Sequence, residues 1–179
     1  MTVRTVEDAV DDFFARYLAA VGGAALAEDD PDEPTPCALS AADADGMIRW
    51  RPVRQSSVCA LDVLKDALGA QPHADAVVWL TRWWALPIEA RLGEVHLCLD
   101  TSASADGSAR QIVRAARYAR AHAGKGGASA IPLAVGLLGG VFALRNDTGE
   151  VVFEHLGRPS RALGCGLGAW LEALSPLAL

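Results

Sequence analysis

The chain has 179 residues, 51% of them apolar, and a formal net charge of −6. That length and apolar content suit one domain with a sizeable core. The acidic balance argues against nucleic-acid binding, which needs a basic footprint.

In chain order, Thr5 is placed to cap a first helix, with Asp8 three residues on. Val10, Phe13, Phe14, Tyr17, Leu18 and Val21 then recur at helical spacing, and Gly22-Gly23 ends the pattern. Residues 28–36 (EDDPDEPTP) form an acidic, proline-rich loop. Residues 1–45 hold eleven acids against two arginines, whereas residues 46–179 hold eleven acids against fourteen bases. Such a field attracts basic partners, although a solvated helix and loop would have the same composition.

Residues 37–40 read as a short strand, and Asp45-Gly46 turns the chain into a second strand over 47–51. A second helix is expected over 58–68, carrying Val58, Leu61, Leu64 and Leu68. Residues 77–84 are rich in β-formers and read as a strand, with Trp79 and Trp83 on one face and Trp84 on the other. One exposed tryptophan ring there would suit a partner. A further strand is expected over 91–100, with Val95, Leu97 and Leu99 on one face. The helix expected over 108–123 puts Arg110, Arg114 and Arg117 on one solvated face.

Residues 126–144 form a charge-free stretch of 19, close to the ~20 residues that a membrane span needs. Its glycines and Pro132 argue instead for two buried strands around a Gly139-Gly140 turn. Strands are expected at 131–137, 141–145 and 150–155, the last two joined by Asn146-Asp147-Thr148-Gly149. A final helix would carry Leu163, Leu167, Trp170, Leu171 and Leu174, weakened by Gly164, Gly166 and Gly168. The expected class is α+β: one domain over 1–179, with helices on a largely antiparallel sheet of about six strands.

Signatures of chemistry are missing. Cys37, Cys59, Cys98 and Cys165 lie too far apart in sequence for a zinc or redox motif. The acidic N-terminus is unlike a secretory signal, so a reducing, cytoplasmic setting is expected. Gly124-Lys125-Gly126 is not a P-loop, the glycines at 164–168 are not a dinucleotide fingerprint, and no nucleophile elbow occurs. His73, His96, His122 and His155 are scattered. Glu94 and His96 would share one strand face, as would Glu150 and Glu154, but neither pair assembles a nucleophile, a base and oxyanion donors. No enzyme, cofactor or metal is expected, and the uneven charge and tryptophans suit recognition of a basic protein partner.

Several motifs, weak singly, fall in one order. Pro36-Cys37 is followed by Trp50-Arg51-Pro52, then by Gly93-Glu94-Val95-His96-Leu97. Asn146-Asp147-Thr148-Gly149-Glu150-Val151 precedes Glu154-His155-Leu156-Gly157, and Ser175-Pro176-Leu177 ends the chain. Over roughly residues 6–177 this resembles the SecY-interacting protein Syd family of the SUKH superfamily. A Gln-x-Trp-x-acidic stretch usual in that family is replaced here by residues 100–106. The resemblance implies a Syd-type fold and peripheral association with the cytoplasmic face of the inner membrane. It further implies a concave acidic surface that binds basic cytosolic loops of SecY, in the SecYEG translocon, and monitors that channel. Cytoplasmic loops of membrane proteins are rich in Lys and Arg. The superfamily offers an alternative: an immunity protein that neutralises a basic toxin domain. The candidate binding residues are Asp43, Asp45, Trp50, Glu89, Glu94, Asp100 and Glu154.

Overall fold

In the computed structural model, which describes residues 4–57, 59–123, 129–155 and 160–178, the chain starts as its first turn dictates. The Thr5 hydroxyl accepts from the Asp8 N–H at 3.2 Å, and the Asp8 carboxylate accepts from the Thr5 N–H at 3.1 Å. This reciprocal cap satisfies two donors that a helix start leaves open. Helix α1 (Val6–Ala20) follows and buries Val10, Phe13, Phe14 and Tyr17.

Strand β1 (Ala25–Glu28) pairs antiparallel with β2 (Met47–Trp50). Ala and Glu are poor strand formers, so β1 owes its conformation to that pairing and not to propensity. The strand expected at 37–40 is instead a turn with a single bridge, Ala38 to Trp50. Thr35 holds it there: its hydroxyl donates to the Ala103 carbonyl and accepts from the Cys37 N–H.

After β3 (Val53–Arg54), helix α2 is shorter than expected, Asp62–Leu68, and buries Leu64; Val58 lies outside the described residues. The strand expected at 77–84 is a helix, α3 (Ala74–Thr81), followed by the two-residue strand β4 (Trp83–Trp84). His73 Nδ1 accepts from the Asp75 N–H at 3.2 Å and caps α3. Ala76, Trp79 and Leu80 are buried at i, i+3, i+4 spacing. Tertiary burial at that spacing overrides the β-propensity of Val77, Val78 and Trp79.

The strand expected at 91–100 is a hairpin, β5 (Ile88–Leu92) and β6 (Val95–Leu99), because Gly93 adopts φ +59° in the turn. Helix α4 (Ala105–Ala123) starts three residues earlier than expected and buries Ile112, Ala115, Ala116 and Ala119. The charge-free stretch yields β7 (Ala130–Gly136) and β8 (Val141–Arg145), turning at Gly139-Gly140; residues 126–128 lie outside the described residues. No described helix is long and apolar enough to cross a membrane. Next come β9 (Glu150–Glu154) and β10 (Arg161–Gly166), then α5 (Leu167–Ala173) and β11 (Ser175–Pro176). The final helix therefore starts at Leu167, and its expected first turns are strand: the glycines disfavour helix there, and pairing with β9 holds the segment extended.

Seven strands form one curled sheet in the order β10-β9-β8-β7-β6-β5-β11, every neighbour antiparallel. The α+β class is as the sequence led one to expect. One face of the sheet presents Ile88, Ala90, Leu97, Leu99, Phe142, Leu144 and Val151 to the main core, beneath α1 and α5. Trp170 of α5 lies 5.8 Å from the Phe142 ring. Full burial of such large side chains stabilises by about 1.5–3 kcal/mol each. Arg16 of α1 ties the two helices together, donating to the Leu171 and Leu174 carbonyls at 2.7 and 2.5 Å. Those carbonyls lie at the end of α5, where helix acceptors are left open and a cation is favoured.

Candidate protein-binding face

The other face of the sheet is only half covered. Tyr118 of α4 packs over Ala130, Ala143 and Val152, a small apolar cluster on strands β7 to β9. Next to it, the strand registers align one row across five strands: Glu89 opposite Cys98, Cys98 opposite Val135, Val135 opposite Val141, and Val141 opposite Glu154. Directly opposed residues share a face, so the row is continuous. Its ends are glutamates, separated along the curled sheet by four strand spacings of about 4.8 Å each. Its middle is apolar, and Val135 is 52% exposed. Arg91 and His96 are opposed on the same face, next to Glu89 and Cys98.

The two end carboxylates differ. Among the described residues Glu89 has one loose side-chain neighbour of this kind, the His96 ring, with Nδ1 at 3.9 Å. Glu154 is engaged from three sides. Tyr118 donates its hydroxyl to Oε2, His122 Nε2 lies 2.9 Å from the same oxygen, and the Ser160 hydroxyl donates to Oε1 at 3.3 Å. The His122 ring stacks on Tyr118, centroids 4.1 Å apart. Burial first, and then the facing carboxylate, push the Tyr118 hydroxyl well above its ordinary pKa, so it remains a donor. Glu154 thus fastens the end of α4 to β9 and marks the boundary between the covered and open parts of the face.

The other expected site residues are dispersed. Glu94 is 97% exposed at the β5–β6 turn, with Arg91 at 3.2 Å. Because it is in the turn, it does not share a strand face with His96. Asp100, just past β6, is mostly buried and pairs with Arg114 at 2.7 Å. Burial raises its pKa, and the guanidinium works against that rise. Asp43 shapes its own turn: its carboxylate accepts from the Asp45 and Met47 N–H groups, both at 2.9 Å. Asp45 beside it is exposed. Trp50 is 2% exposed and packs on Tyr17, ring centroids 5.6 Å apart. It is part of the core wall, and its ring is almost wholly covered by the fold.

Sequence reasoning missed a second carboxylate centre. Asp11 of α1 accepts from Arg82 at both oxygens, 2.7 Å each, from Trp83 Nε1 at 2.9 Å, and from Arg54. Arg54 also lies 4.5 Å over the Trp83 ring. The Arg82 hydrogen bonds, more than any other partner, lower the Asp11 pKa to about 2. Trp83 is half-buried in this cluster, and Trp79 and Trp84 are each 6% exposed, so none of the three offers the exposed ring expected.

A family model described as Syd protein (SUKH-2) matches residues 6–107. The chain belongs to the Syd family. It is also similar to Protein Syd of Alteromonas mediterranea, 26% identical over 180 residues that cover 97% of each chain.

The motifs on which the sequence resemblance rested have structural roles. Pro36-Cys37 and Trp50-Arg51 meet each other: the Cys37 carbonyl accepts from Arg51 N–H at 3.1 Å. Asn146 Oδ1 accepts from His73 N–H at 2.7 Å, and its amide donates to the Gln71 carbonyl at 3.0 Å. The 146–149 turn thereby clamps the loop before α3. A side chain on Gly149, at φ +70°, would meet the His73 ring at 2.4 Å, so this turn requires glycine. Leu156 and Gly157 of the next motif lie outside the described residues. Within residues 100–106, Ser102 is buried on Ser108 at 2.8 Å, and Ser108 accepts from Trp84 Nε1 at 3.1 Å.

Proposed function

We propose that the half-open sheet face binds a basic, extended segment of another protein, without catalysis. The partner in this reading is the set of cytosolic loops of the SecY translocon, met at the cytoplasmic face of the membrane. Membership of the Syd family supports the partner. The observation that carries the binding mode is the row from Glu89 to Glu154, with carboxylates at its ends and solvent-exposed carbon between them. Glu89, Glu94 and Asp45 supply attraction, Val135 and its neighbours supply desolvated contact, and Asp43, Asp100 and Glu154 hold the surrounding turns and helix in place. Trp50 supports the wall behind Glu89.

Basic loops of membrane proteins on the cytoplasmic side match such a surface. The test is retention of detergent-solubilised SecYEG by the immobilised protein at low and at moderate salt. Retention that falls as salt rises is expected, since the Debye length shrinks from about 30 Å at 0.01 M to about 8 Å at 0.15 M. Absence of retention at both salts would rule out the translocon as partner.

A further inference from the structure

Glu89 also borders a second feature. Between the β1–β2 pair and the 86–89 segment lies a cleft of about 250 Å³. Tyr17, Leu26, Trp50, Leu86 and Leu177 line it, and Glu89 is its one charged residue among the described lining residues. Ala25 and Ala27 share one face of β1 and give the cleft its wall on that strand, with Ala25 opposite Trp50. The cleft is built firmly: the Leu177 N–H donates to the Glu89 carbonyl at 3.0 Å, and Trp50 is locked on Tyr17. An aliphatic cavity of about 150 Å³ takes up benzene, so this volume accommodates a leucine or phenylalanine side chain.

The charge around the cleft says what that side chain must be attached to. Ala27, also in the lining, is followed directly by Glu28, Asp29 and Asp30. The Asp29 N–H is bonded to the Gly46 carbonyl at 2.9 Å, which brings exposed Asp45 to the same end of the β1–β2 pair. Among the described residues none of Glu28, Asp29, Asp30 and Asp45 is in an ion pair. Acidic residues therefore border the apolar hole, Glu89 within its lining and the 28–30 and 45 group next to Ala27.

We infer that this cleft is an anchor pocket for one large apolar side chain of a partner segment that carries Lys or Arg on both sides of it. The inference rests on the proposed binding of a basic segment and adds what that segment must look like. Apolar anchors in desolvated pockets dominate the energetics of many interfaces, while surrounding charges set attraction and register.

The test uses the full chain and two synthetic peptides, each Lys/Arg-rich, one with a single central leucine and the other with alanine in its place. The leucine peptide is expected to bind about tenfold more tightly at low salt, the scale of burying one such side chain. Ala27→Phe, which fills the cleft, should abolish that preference. Glu89→Gln should weaken both peptides and keep their ratio. Equal affinity of the two peptides for the wild-type chain overturns the anchor pocket and leaves the charged-face reading standing. Binding by neither overturns both. A photo-reactive leucine in the peptide asks the same of the unaltered chain: adducts are expected within 25–27, 86–89 or at 177, and adducts confined elsewhere overturn the inference.

Discussion

Asp11 and Glu89 are both half-buried carboxylates in an acidic protein, yet they do opposite work. Asp11 is saturated: two guanidiniums and an indole N–H converge on it from β3, the residue that ends α3, and β4. Glu89 has one histidine at 3.9 Å and faces both an open row and an open cleft. The acidic surplus of residues 1–45 is thus not one field. Asp12 pairs with Arg4 and Arg16, and Glu33 with Arg110, so folding neutralises part of the surplus internally. What remains for a partner is the smaller set around β1, the 43–46 turn and β5. A carboxylate surrounded by donors stabilises the fold, and one left facing carbon and solvent is available for recognition.

The largest effect expected from breaking this contrast is at Asp11. Asp11→Ala removes the acceptor for two arginines and Trp83, and should cost about 3 kcal/mol in urea unfolding, the upper range for hydrogen bonds to charged groups. A pH series sharpens the point. The Asp11 pKa is lowered from 3.8 to about 2 in the folded chain. A lowered carboxylate pKa stabilises above the unfolded value and loses that stabilisation as pH falls. About 2 kcal/mol should therefore disappear between about pH 4 and pH 2, and Asp11→Asn should flatten that part of the profile. The same variants should leave partner binding unchanged once the chain is folded.

Gly149→Ala comes next. The residue has φ +70°, and an added Cβ would press on the His73 ring. A loss of about 1–3 kcal/mol is expected, the range for strained backbone, read as a lower midpoint in thermal unfolding. Glu154→Gln is smaller, about 1 kcal/mol, because the neutral side chain retains part of the Tyr118 and Ser160 contacts. Glu89→Gln should leave stability within about 0.5 kcal/mol, the ordinary range for surface substitutions, and reduce partner binding. That split between stability and binding is the contrast with Asp11 in measurable form.

The fold was legible in the sequence where its cause is local. Thr5 and Asp8 announce α1 because a capping box needs only four consecutive residues. Asn146 to Gly149 announce the β8–β9 turn for the same reason. Legibility failed where tertiary contact decides. Val77, Val78 and Trp79 favour strand, yet burial of Ala76, Trp79 and Leu80 with a His73 cap makes a helix. Ala25 to Glu28 have no strand preference and acquire one from Met47 to Trp50. The site was less legible than the fold. Glu89 and Glu154 belong to one row only through four successive registers, and no spacing in the sequence encodes that alignment. The cleft beside Glu89 unites residues 17, 26, 50, 86 and 177, which only the completed fold brings together. The acids themselves could be listed from sequence, but which are spent on arginines could not.

In the proposed mode of binding, a basic partner covers the open row across β5 to β9. Val135 is its midpoint, 52% exposed and itself outside the ion pairs at the two ends of the row. The most direct measurement is binding of solubilised SecYEG, at low salt, to Val135→Lys beside the unaltered chain, with thermal unfolding recorded for both. The account predicts an unfolding midpoint close to that of the unaltered chain and binding weakened at least tenfold, because a cation then stands where the basic segment must lie. Unchanged binding by a folded Val135→Lys chain would contradict it.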